Sequence, residues 1–428
     1  MFKIWIRLFI GVVLGISVNN SLAIDEISSQ VGKIAFIGDD YNVYTYTTAT
    51  NDVLQLTEDA SALRHYQWVT WSTDGRLAYF CCEINPANPV VNSEIFVSTD
   101  GDRPGTRLYQ IANALVIYAY WAPADCGDDC RELAMLIDNA SGLSVDILTD
   151  SAEPSLSTVG TGGPFYYHWD STGTQMIFHR SNRDLDIYDR QQDSISNSLS
   201  RSSGTFQTPV WSPIDERILV GLQGSERGLT DLAIVDDGQT TILVEDIQGL
   251  VSFLWSPNGQ YIAYRTLNQF GYSGLTVIDV ASGTVISTAD TNGVLAFFWS
   301  PDSNKIAYIT LNSENERPNA SLNTLVTQSF VQNEEPTQLL WQVLDIEAGT
   351  NLRYSAFIPN YEMLYLLNYF DQFAPSHRLW SPDSRYLVFS GNLTPSERTP
   401  QIYMLDTANT NISPVSVANG VFGVWSFE

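Results

Sequence analysis

Histidine is the residue type in this chain best suited to acid–base and metal chemistry, and four are present: His65, His168, His179 and His377. His65 and His377 each stand just ahead of a short run that ends in tryptophan, so these two rings are candidates for one shared site. Two histidines without a third ligand seldom hold a metal. We therefore predict no metal site and no catalytic residue. The alternative is a metal bound by His65, His377 and nearby acids.

Other catalytic signatures are missing from the sequence. It contains no Gly-x-Ser-x-Gly elbow, no His-Glu-x-x-His helix and no glycine-rich phosphate loop. The acidic loop at 39–42 lacks the ordered ligand spacing of a calcium loop. The sequence therefore predicts no cofactor.

The elements that position these side chains repeat along the chain. A short apolar run ends in tryptophan, a tight turn follows, and a second β-rich run comes next. The tryptophans of the copies are Trp71, Trp121, Trp169, Trp211, Trp255, Trp299 and Trp380. Their spacings are 50, 48, 42, 44, 44 and 81 residues. A period in the forties, with short strands between turn signals, is typical of β-propeller blades.

The chemistry of the repeated phrase fits a β-hairpin. In the copy that starts at Trp255, Pro257 presets φ for the first corner of the turn, Asn258 tolerates the second, and Gly259 closes it. The tryptophan can fill the wedge between neighbouring blades, where a large flat ring buries much area. Repeated apolar positions usually belong to a core, so we interpret these tryptophans as structural.

The phrase Trp-Ser-Pro-Asp-Gly before an apolar strand resembles the repeat of TolB-like, WD40-like β-propellers, also found in the propeller of prolyl-oligopeptidase-type enzymes. Residues Trp255–Tyr264, Trp299–Tyr308 and Trp380–Phe389 carry the resemblance best, and weaker copies extend it over nearly all of the chain. It implies an all-β fold and, because such propellers are often interaction modules, a binding role. No α/β segment follows the repeats, so the resemblance does not include the peptidase domain.

The two ends of the repeated region predict how the ring closes. Residues 32–36 are a second strand with no tryptophan turn before it, and residues 421–426 are a first strand with nothing after it. Together they would complete one blade and leave no open sheet edge. Counting second strands predicts a single propeller of eight four-stranded blades, with seven as the alternative.

The four cysteines fall into two sets on this frame. Cys126 and Cys130 lie in a turn between a first and a second strand, whereas Cys81 and Cys82 end a second strand on the opposite face. A strand of five or six residues is ~17–20 Å long, and a disulfide needs Cα atoms within ~7 Å. We therefore predict a local Cys126–Cys130 disulfide. Cys81 and Cys82 form either a vicinal disulfide or two free thiols, and the spacing of the four does not suit zinc.

The most informative departure from the repeat surrounds the seventh blade. Two long connections, 312–337 and 359–376, leave it on the same face of the ring. The second is unusually aromatic for a loop, which favours a binding surface at the channel mouth. The alternative is that this segment folds down and plugs the channel, because large apolar side chains are more often buried. The candidate binding residues are Tyr361, Tyr365, Tyr369, Phe370, Phe373, His377 and His65.

The first residues have the features of a targeting segment. Lys3 and Arg7 precede an apolar run, and small residues up to Ala23 offer a cleavage site. We predict a signal peptide at 1–23 and the propeller at 24–428, with an uncleaved anchor as the alternative. No later stretch is long and apolar enough to span a membrane. The protein is then exported, to the periplasm or the extracellular space.

The formal net charge of −27 argues against nucleic acid and against an anionic membrane surface. We expect a monomer with a protein or peptide partner. The leading hypothesis is a non-catalytic binding scaffold. The alternative is a metal-dependent enzyme that processes glycans or peptides at the channel mouth, using His65 and His377. A purely structural part of an envelope assembly is a third possibility.

Overall fold

The computed structural model describes residues 31–428 except 86–89, 128, 182–183, 200, 290–292 and 313–335. The expected signal peptide at 1–23 and most of the connection at 312–337 therefore lie outside the described residues. Nearly all of the regular structure is antiparallel sheet. None of the helices in the described part of the chain has the length and apolar character needed to cross a membrane.

Each of the first four sheets has four strands. The strands are β1 (Lys33–Ile37), β2 (Val43–Thr47), β3 (Asp52–Gln55), β4 (Arg64–Trp71), β5 (Leu77–Asn85), β6 (Val90–Ser98), β7 (Thr106–Ile111), β8 (Ala114–Trp121), β9 (Arg131–Asn139), β10 (Gly142–Asp150), β11 (Ser155–Gly162), β12 (Phe165–Trp169), β13 (Gln175–Arg180), β14 (Asp184–Asp189) and β15 (Ser194–Ser198). The first sheet contains β1–β3, and its fourth strand comes from the other end of the chain. The next three sheets are β4–β7, β8–β11 and β12–β15.

The second half continues the pattern. Its strands are β16 (Val210–Trp211), β17 (Ile218–Gln223), β18 (Leu229–Asp236), β19 (Gln239–Gln248), β20 (Leu250–Trp255), β21 (Tyr261–Asn268), β22 (Gly271–Tyr272), β23 (Thr276–Asp279), β24 (Thr284–Thr288), β25 (Ala296–Trp299), β26 (Lys305–Leu311), β27 (Leu339–Asp345), β28 (Asn351–Pro359), β29 (Tyr386–Asn392), β30 (Gln401–Asp406), β31 (Val415–Asn419) and β32 (Phe422–Trp425). Strands β16–β19 form the fifth sheet and β20–β24 the sixth.

Strand β32 closes the ring by pairing antiparallel with β1, so that Ile34 lies opposite Trp425 and Ala35 opposite Val424. The order of the closing sheet is β3-β2-β1-β32. The predicted β-propeller, and its closure by the two ends of the repeat region, are thereby confirmed.

The last sheet is a continuous run of seven strands, β25 to β31. The end of β28 reaches over to β29 and pairs Ile358 with Asn392. The place of an inner strand beside β29 is taken by one isolated bridge, between Trp380 and Leu387. The seven strands thus comprise the seventh blade and an eighth with a reduced inner strand. This arrangement is compatible with the predicted count of eight.

Four of the repeated tryptophans donate a hydrogen bond to the preceding blade. The indole Nε1 of Trp169 donates to the carbonyl oxygen of Tyr120 at 3.2 Å, and Trp255 Nε1 donates to Val210 O at 3.3 Å. In both cases the acceptor is the residue just before the tryptophan of the blade before. Trp121 makes the equivalent bond to Thr70 O. The tryptophans are buried in the wedges between blades, as expected from their repetition.

The turn that follows each tryptophan is held by its serine. Ser300 Oγ donates to the carboxylate of Asp302 at 2.6 Å and accepts from the backbone N–H of Lys305 at 2.9 Å. Ser303 adopts φ +64°, and its hydroxyl accepts from the backbone N–H of Asn258 in the neighbouring blade at 3.0 Å. The turn therefore adds a hydrogen bond between blades, which fixes these Trp-Ser-Pro turns side by side on one face of the ring.

The connection at 359–376 is helical. Helix α1 (Tyr361–Asn368) begins at Asn360, whose side chain accepts a hydrogen bond from the backbone N–H of Met363 at 3.1 Å. Helix α2 (Phe370–Phe373) follows directly. The buried side chains of the two helices are Met363, Leu364, Leu366, Leu367, Phe370 and Phe373. We call residues 360–377 the plug.

The plug lies inside the ring, because it contacts inner strands from several blades. The ring of Phe370 packs on Phe297 of the seventh blade with centroids 4.9 Å apart. Phe373 packs on Trp68 of the second blade at 5.3 Å and on Tyr118 of the third at 5.2 Å. The plugged channel, which the sequence left as an alternative to an exposed binding segment, is therefore the observed arrangement.

Candidate functional site

The plug divides the predicted binding residues into an outer and an inner group. Tyr361 and Tyr369 are exposed by 53% and 42% of their surface, and half-buried Tyr365 lies between them, 4.9 Å from Tyr369 by ring centroids. Phe370 and Phe373 are buried completely or nearly so. The period of the helix turns the rings of Phe370 and Phe373 toward the inner strands, so these two residues belong to the packed side of the plug rather than to its exposed surface.

His377 is also buried, which corrects its assignment to the channel mouth. Its Nδ1 lies 2.7 Å from Ser376 Oγ, and its ring packs on Phe373 and Phe422. Burial lowers the pKa of His377 to about 3, so the ring is neutral at pH 7.

His65 has different neighbours and does not share a contact with His377. Its ring stacks on Tyr41, with centroids 4.5 Å apart and an angle of 10° between the planes. Within the described ranges, no group of three or more histidine, cysteine or acidic side chains is arranged to hold a metal ion. The structure therefore gives no support to a site built from His65 and His377.

The cysteines follow the expected division. Cys126 and Cys130 form the predicted disulfide, with Cα atoms 5.1 Å apart, and the neighbouring Asp125 pairs with Arg131 at 2.6 Å. Cys81 and Cys82 are buried free thiols, which is one of the two alternatives left open. Burial raises the thiol pKa of Cys81 to about 12 and that of Cys82 to about 11.

The best-formed recess of the described structure lies at the other end of the channel. It has a volume of about 310 Å³, and the residues Ala374 and Pro375, just after α2, belong to its lining. The wall comes from the repeated tryptophans and from the prolines of the turns. The wall residues include Trp71, Trp121, Trp169, Trp211, Trp255, Trp299, Trp380, Pro123, Pro213, Pro257 and Pro301. We call it the turn-face cavity.

The turn-face cavity is at the opposite end from the exposed tyrosines. The plug enters the ring after Pro359, where the end of β28 lies beside the end of β29. The turns that line the cavity are different connections, because they join the first strand of a blade to its second strand. Consecutive antiparallel strands place these two kinds of connection on opposite faces. The cavity is therefore open on one face and backed by the plug on the other side.

A single cationic side chain stands in this aromatic wall. Arg378 lies largely enclosed, and its guanidinium carbon is 3.9 Å from the centroid of the Phe427 ring. Burial lowers the pKa of Arg378 to about 10, which still leaves it charged at pH 7. Tyr120 lines the same cavity. Burial raises the pKa of its hydroxyl to about 12, and the nearby charge of Arg378 opposes that rise.

The remaining titratable groups of the cavity are neutral or already engaged. Burial lowers the pKa of His168 to about 4, and its Nδ1 accepts from the backbone N–H of Trp211 at 3.4 Å. The carboxylate of Asp170 accepts hydrogen bonds from its own turn, including the backbone N–H groups of Thr174 and Gln175. At neutral pH the cavity thus offers an apolar aromatic wall with the cation of Arg378 and, beside other hydroxyl-bearing residues, Tyr120.

Sequence reasoning did not find this site. It assigned the tryptophans to the wedges between blades, which is correct, but their inner edges also line the cavity. Arg378 stands between the plug and Trp380, outside the repeated phrase. The available signal was a charged residue directly before the apolar pair Leu379-Trp380.

Comparison with known proteins supports the fold. No protein-family model and none of the curated proteins matches the sequence. The structure is similar to a crystal structure of the eukaryotic initiation factor, with a TM-score of 0.51 and 11% identity over 92% of this chain and 98% of that chain.

Two further solved structures resemble this chain more loosely. One is the β-propeller domain of the trilobed protease from Pyrococcus furiosus, with TM-score 0.49 and 11% identity over 84% of this chain and 97% of that chain. The other is TolB from Acinetobacter baumannii, with TM-score 0.37 and 13% identity over 81% and 77%. At such low identity these likenesses concern the fold alone.

Proposed function

We propose that this protein is an exported, non-catalytic β-propeller scaffold that binds a protein or peptide segment in its turn-face cavity. The observation that carries the proposal is the cavity itself, a concave aromatic recess of about 310 Å³ closed behind by the plug. Ligand sites in proteins are concave and mostly apolar, with a few placed polar groups, and span ≈ 300–1,000 Å³. The recess has this character.

The composition of the wall favours a peptide segment. Tryptophan, tyrosine and arginine are the residues that contribute most to binding energy at protein interfaces. Here they line one depression together with rigid prolines, so an entering side chain meets a surface that is already ordered. A volume of about 310 Å³ lies at the lower end of the range for ligand sites. We therefore expect the recess to take one part of a partner, with the rest of that partner on the rim.

Export is supported by the cysteine chemistry. The Cys126–Cys130 disulfide is the kind of bond that persists in oxidising compartments. The signal peptide at 1–23 lies outside the described residues and remains part of the proposal. No observation favours the alternative of a metal-dependent enzyme, because His377 is buried beside Phe373 and Phe422 and has no contact in common with His65.

The proposal can be tested by blocking the cavity. Ser171 lines its rim and is exposed, so Ser171→Trp narrows the mouth without disturbing the core. Ala281 is an exposed turn residue between β23 and β24, away from the cavity lining, and Ala281→Trp is the matched control. A panel of short aromatic and proline-containing peptides would be titrated into each protein and followed by intrinsic tryptophan fluorescence.

We expect at least one peptide to bind the unmodified protein. We expect Ser171→Trp to weaken that binding at least about tenfold, the loss that one excluded anchor side chain produces, while Ala281→Trp leaves it unchanged. The proposal fails if no peptide of the panel binds at millimolar concentration, or if both tryptophan variants bind as the unmodified protein does.

A further inference from the structure

Arg378 differs from the other enclosed arginines in having no acidic partner. Arg131, for comparison, reaches Asp125 at 2.6 Å, and buried Arg265 lies near enough to Asp371 for the two charges to influence each other. Within the described residues, no ion pair or side-chain hydrogen bond involves the guanidinium of Arg378. Its recorded side-chain contact is the ring of Phe427.

An enclosed cation without an anionic partner is costly for a folded protein. The charge gives up hydration, and an aromatic face returns only ≈ 0.5–2 kcal/mol. An enclosed charged group in a cleft is therefore a candidate for ligand binding. Arg378 lines the turn-face cavity rather than a closed part of the core, so a ligand in the cavity can reach it.

Tyr120 lines the same cavity as Arg378. It is close enough to Arg378 for the arginine charge to act on it, and no hydrogen bond from its side chain to another described residue is present. A guanidinium presents parallel N–H donors, and a phenol adds an O–H donor. Together they match the oxygens of one carboxylate.

We infer that the turn-face cavity recognises a carboxylate carried on an apolar or aromatic body, with Arg378 as the charged donor, Tyr120 as a second donor and the tryptophan wall holding the body. This inference rests on the proposed function and names the chemistry of its ligand. A peptide with a free carboxyl end and a small aromatic acid share this chemistry.

The charge of the whole protein disfavours ligands that carry many negative charges. With a net charge of −27, the molecule repels multiply charged ligands such as nucleic acids and polyanionic glycans. Asp170 adds a negative charge to the lining, although its oxygens are occupied by its own turn. A ligand with one carboxylate therefore fits the single arginine of the lining better than a polyanion does.

The test compares N-acetylphenylalanine with N-acetylphenylalaninamide, which have the same body but differ in charge. Binding to the unmodified protein would be measured by isothermal titration calorimetry. We expect the acid to bind about tenfold to a hundredfold more tightly than the amide, because a hydrogen bond to a charged group is the stronger kind. Arg378→Gln should abolish this preference, and Tyr120→Phe should reduce it severalfold.

Two further measurements complete the test. Two further ligands distinguish the source of the carboxylate: 3-phenylpropionate, and a tetrapeptide with a C-terminal phenylalanine whose carboxyl group is free. Tighter binding of the tetrapeptide would indicate the carboxyl end of a peptide. Equal binding of the two would indicate a small acid. The melting temperature of Arg378→Gln provides an independent readout. A ligand-binding arginine without a partner should be replaced without loss of melting temperature, whereas a structural arginine should not.

Equal binding of the acid and the amide would overturn the inference about the carboxylate. If Ser171→Trp blocks the binding of both compounds, the proposal that ligands bind in the cavity would still stand. A preference for the acid that survives Arg378→Gln would place the carboxylate elsewhere and would overturn it too. If neither compound nor the tetrapeptide binds at millimolar concentration, the inference is wrong. The proposed function then depends on the peptide panel alone.

Discussion

The indole Nε1 of Trp380 donates a hydrogen bond of 3.0 Å to the carbonyl oxygen of Phe298, joining two blades across 82 residues of sequence. Trp299, one repeat earlier, is also buried, with 9% of its surface exposed compared with 1% for Trp380, but its Nε1 has no hydrogen-bond partner among the described residues. The two tryptophans occupy the same place in the repeat and differ in this bond.

This difference allows the bond between blades to be measured. We expect Trp380→Phe to lower the free energy of unfolding by about 1 kcal/mol more than Trp299→Phe does, because a net intramolecular hydrogen bond is worth about that much. Urea unfolding followed by far-ultraviolet circular dichroism would give both values. Equal losses in the two variants would show that the indole contributes only by filling the wedge.

The plug should contribute strongly to stability. Phe370 is fully buried against Phe297, whereas the adjacent Tyr369 is 42% exposed. We expect Phe370→Ala to cost about 3–5 kcal/mol, as removal of a buried phenylalanine does, and Tyr369→Ala less than about 1 kcal/mol. The urea midpoints of the two variants provide the comparison. Similar small losses in both would mean that the plug is not packed into the ring in solution.

His377 predicts a loss of stability in mild acid. Burial lowers its pKa to about 3 in the folded protein, compared with about 6.5 in an unfolded chain. Between these two values the unfolded state binds more protons, so stability falls as the pH decreases from 6.5 toward 3. His377→Phe removes the titrating group and keeps an apolar ring.

Between pH 7 and pH 5 the free energy of unfolding of the variant should fall by ~2 kcal/mol less than that of the unmodified protein. The reason is that pH 5 lies about 1.5 units below the unfolded-state pKa of about 6.5, and each unit corresponds to ~1.4 kcal/mol. Unfolding in urea at the two pH values gives the numbers. An identical pH dependence in both proteins would show that the ring can be protonated without unfolding.

The thiols of Cys81 and Cys82 should resist alkylation in the folded protein. They are buried, and their pKa values of about 12 and 11 leave little thiolate at pH 8. We expect iodoacetamide to modify them only after denaturant is added. The number of modified thiols would be measured by mass spectrometry of the intact protein. Rapid modification of the native protein would instead indicate that β5 opens readily. The rate at which iodoacetamide modifies the unfolded chain provides the reference.

Much of the fold could be predicted from the sequence because the information is local and repeated. Trp255-Ser256-Pro257 and its copies specify a strand, a turn and a wedge-filling ring within a few residues. Closure of the ring was predictable as well, because 32–36 and 421–426 are complementary fragments of one blade. The local disulfide followed from the short distance along the chain between Cys126 and Cys130.

The plug was harder to predict because it occurs once. Its helical period is present in the sequence, with Asn360 as a cap and apolar residues at Met363, Leu366, Leu367 and Phe370, but the repeat around it suggested a loop. Whether such a helix lies on the surface or inside depends on the width of the channel, which is a property of the whole ring. The cavity that it closes off is likewise formed by several blades together, so no single segment of the sequence predicts it.

The bond from the backbone N–H of Lys33 to Ser426 Oγ spans 393 residues, and it lies beside the pairing of β1 with β32. Contacts this distant in sequence form late and slow the folding of a chain. During synthesis, one edge of β1 stays unpaired until β32 has been made, because β32 is the strand that covers it. The nascent chain is therefore most prone to aggregation just before β32 is made, when the other seven blades are present and the ring is still open.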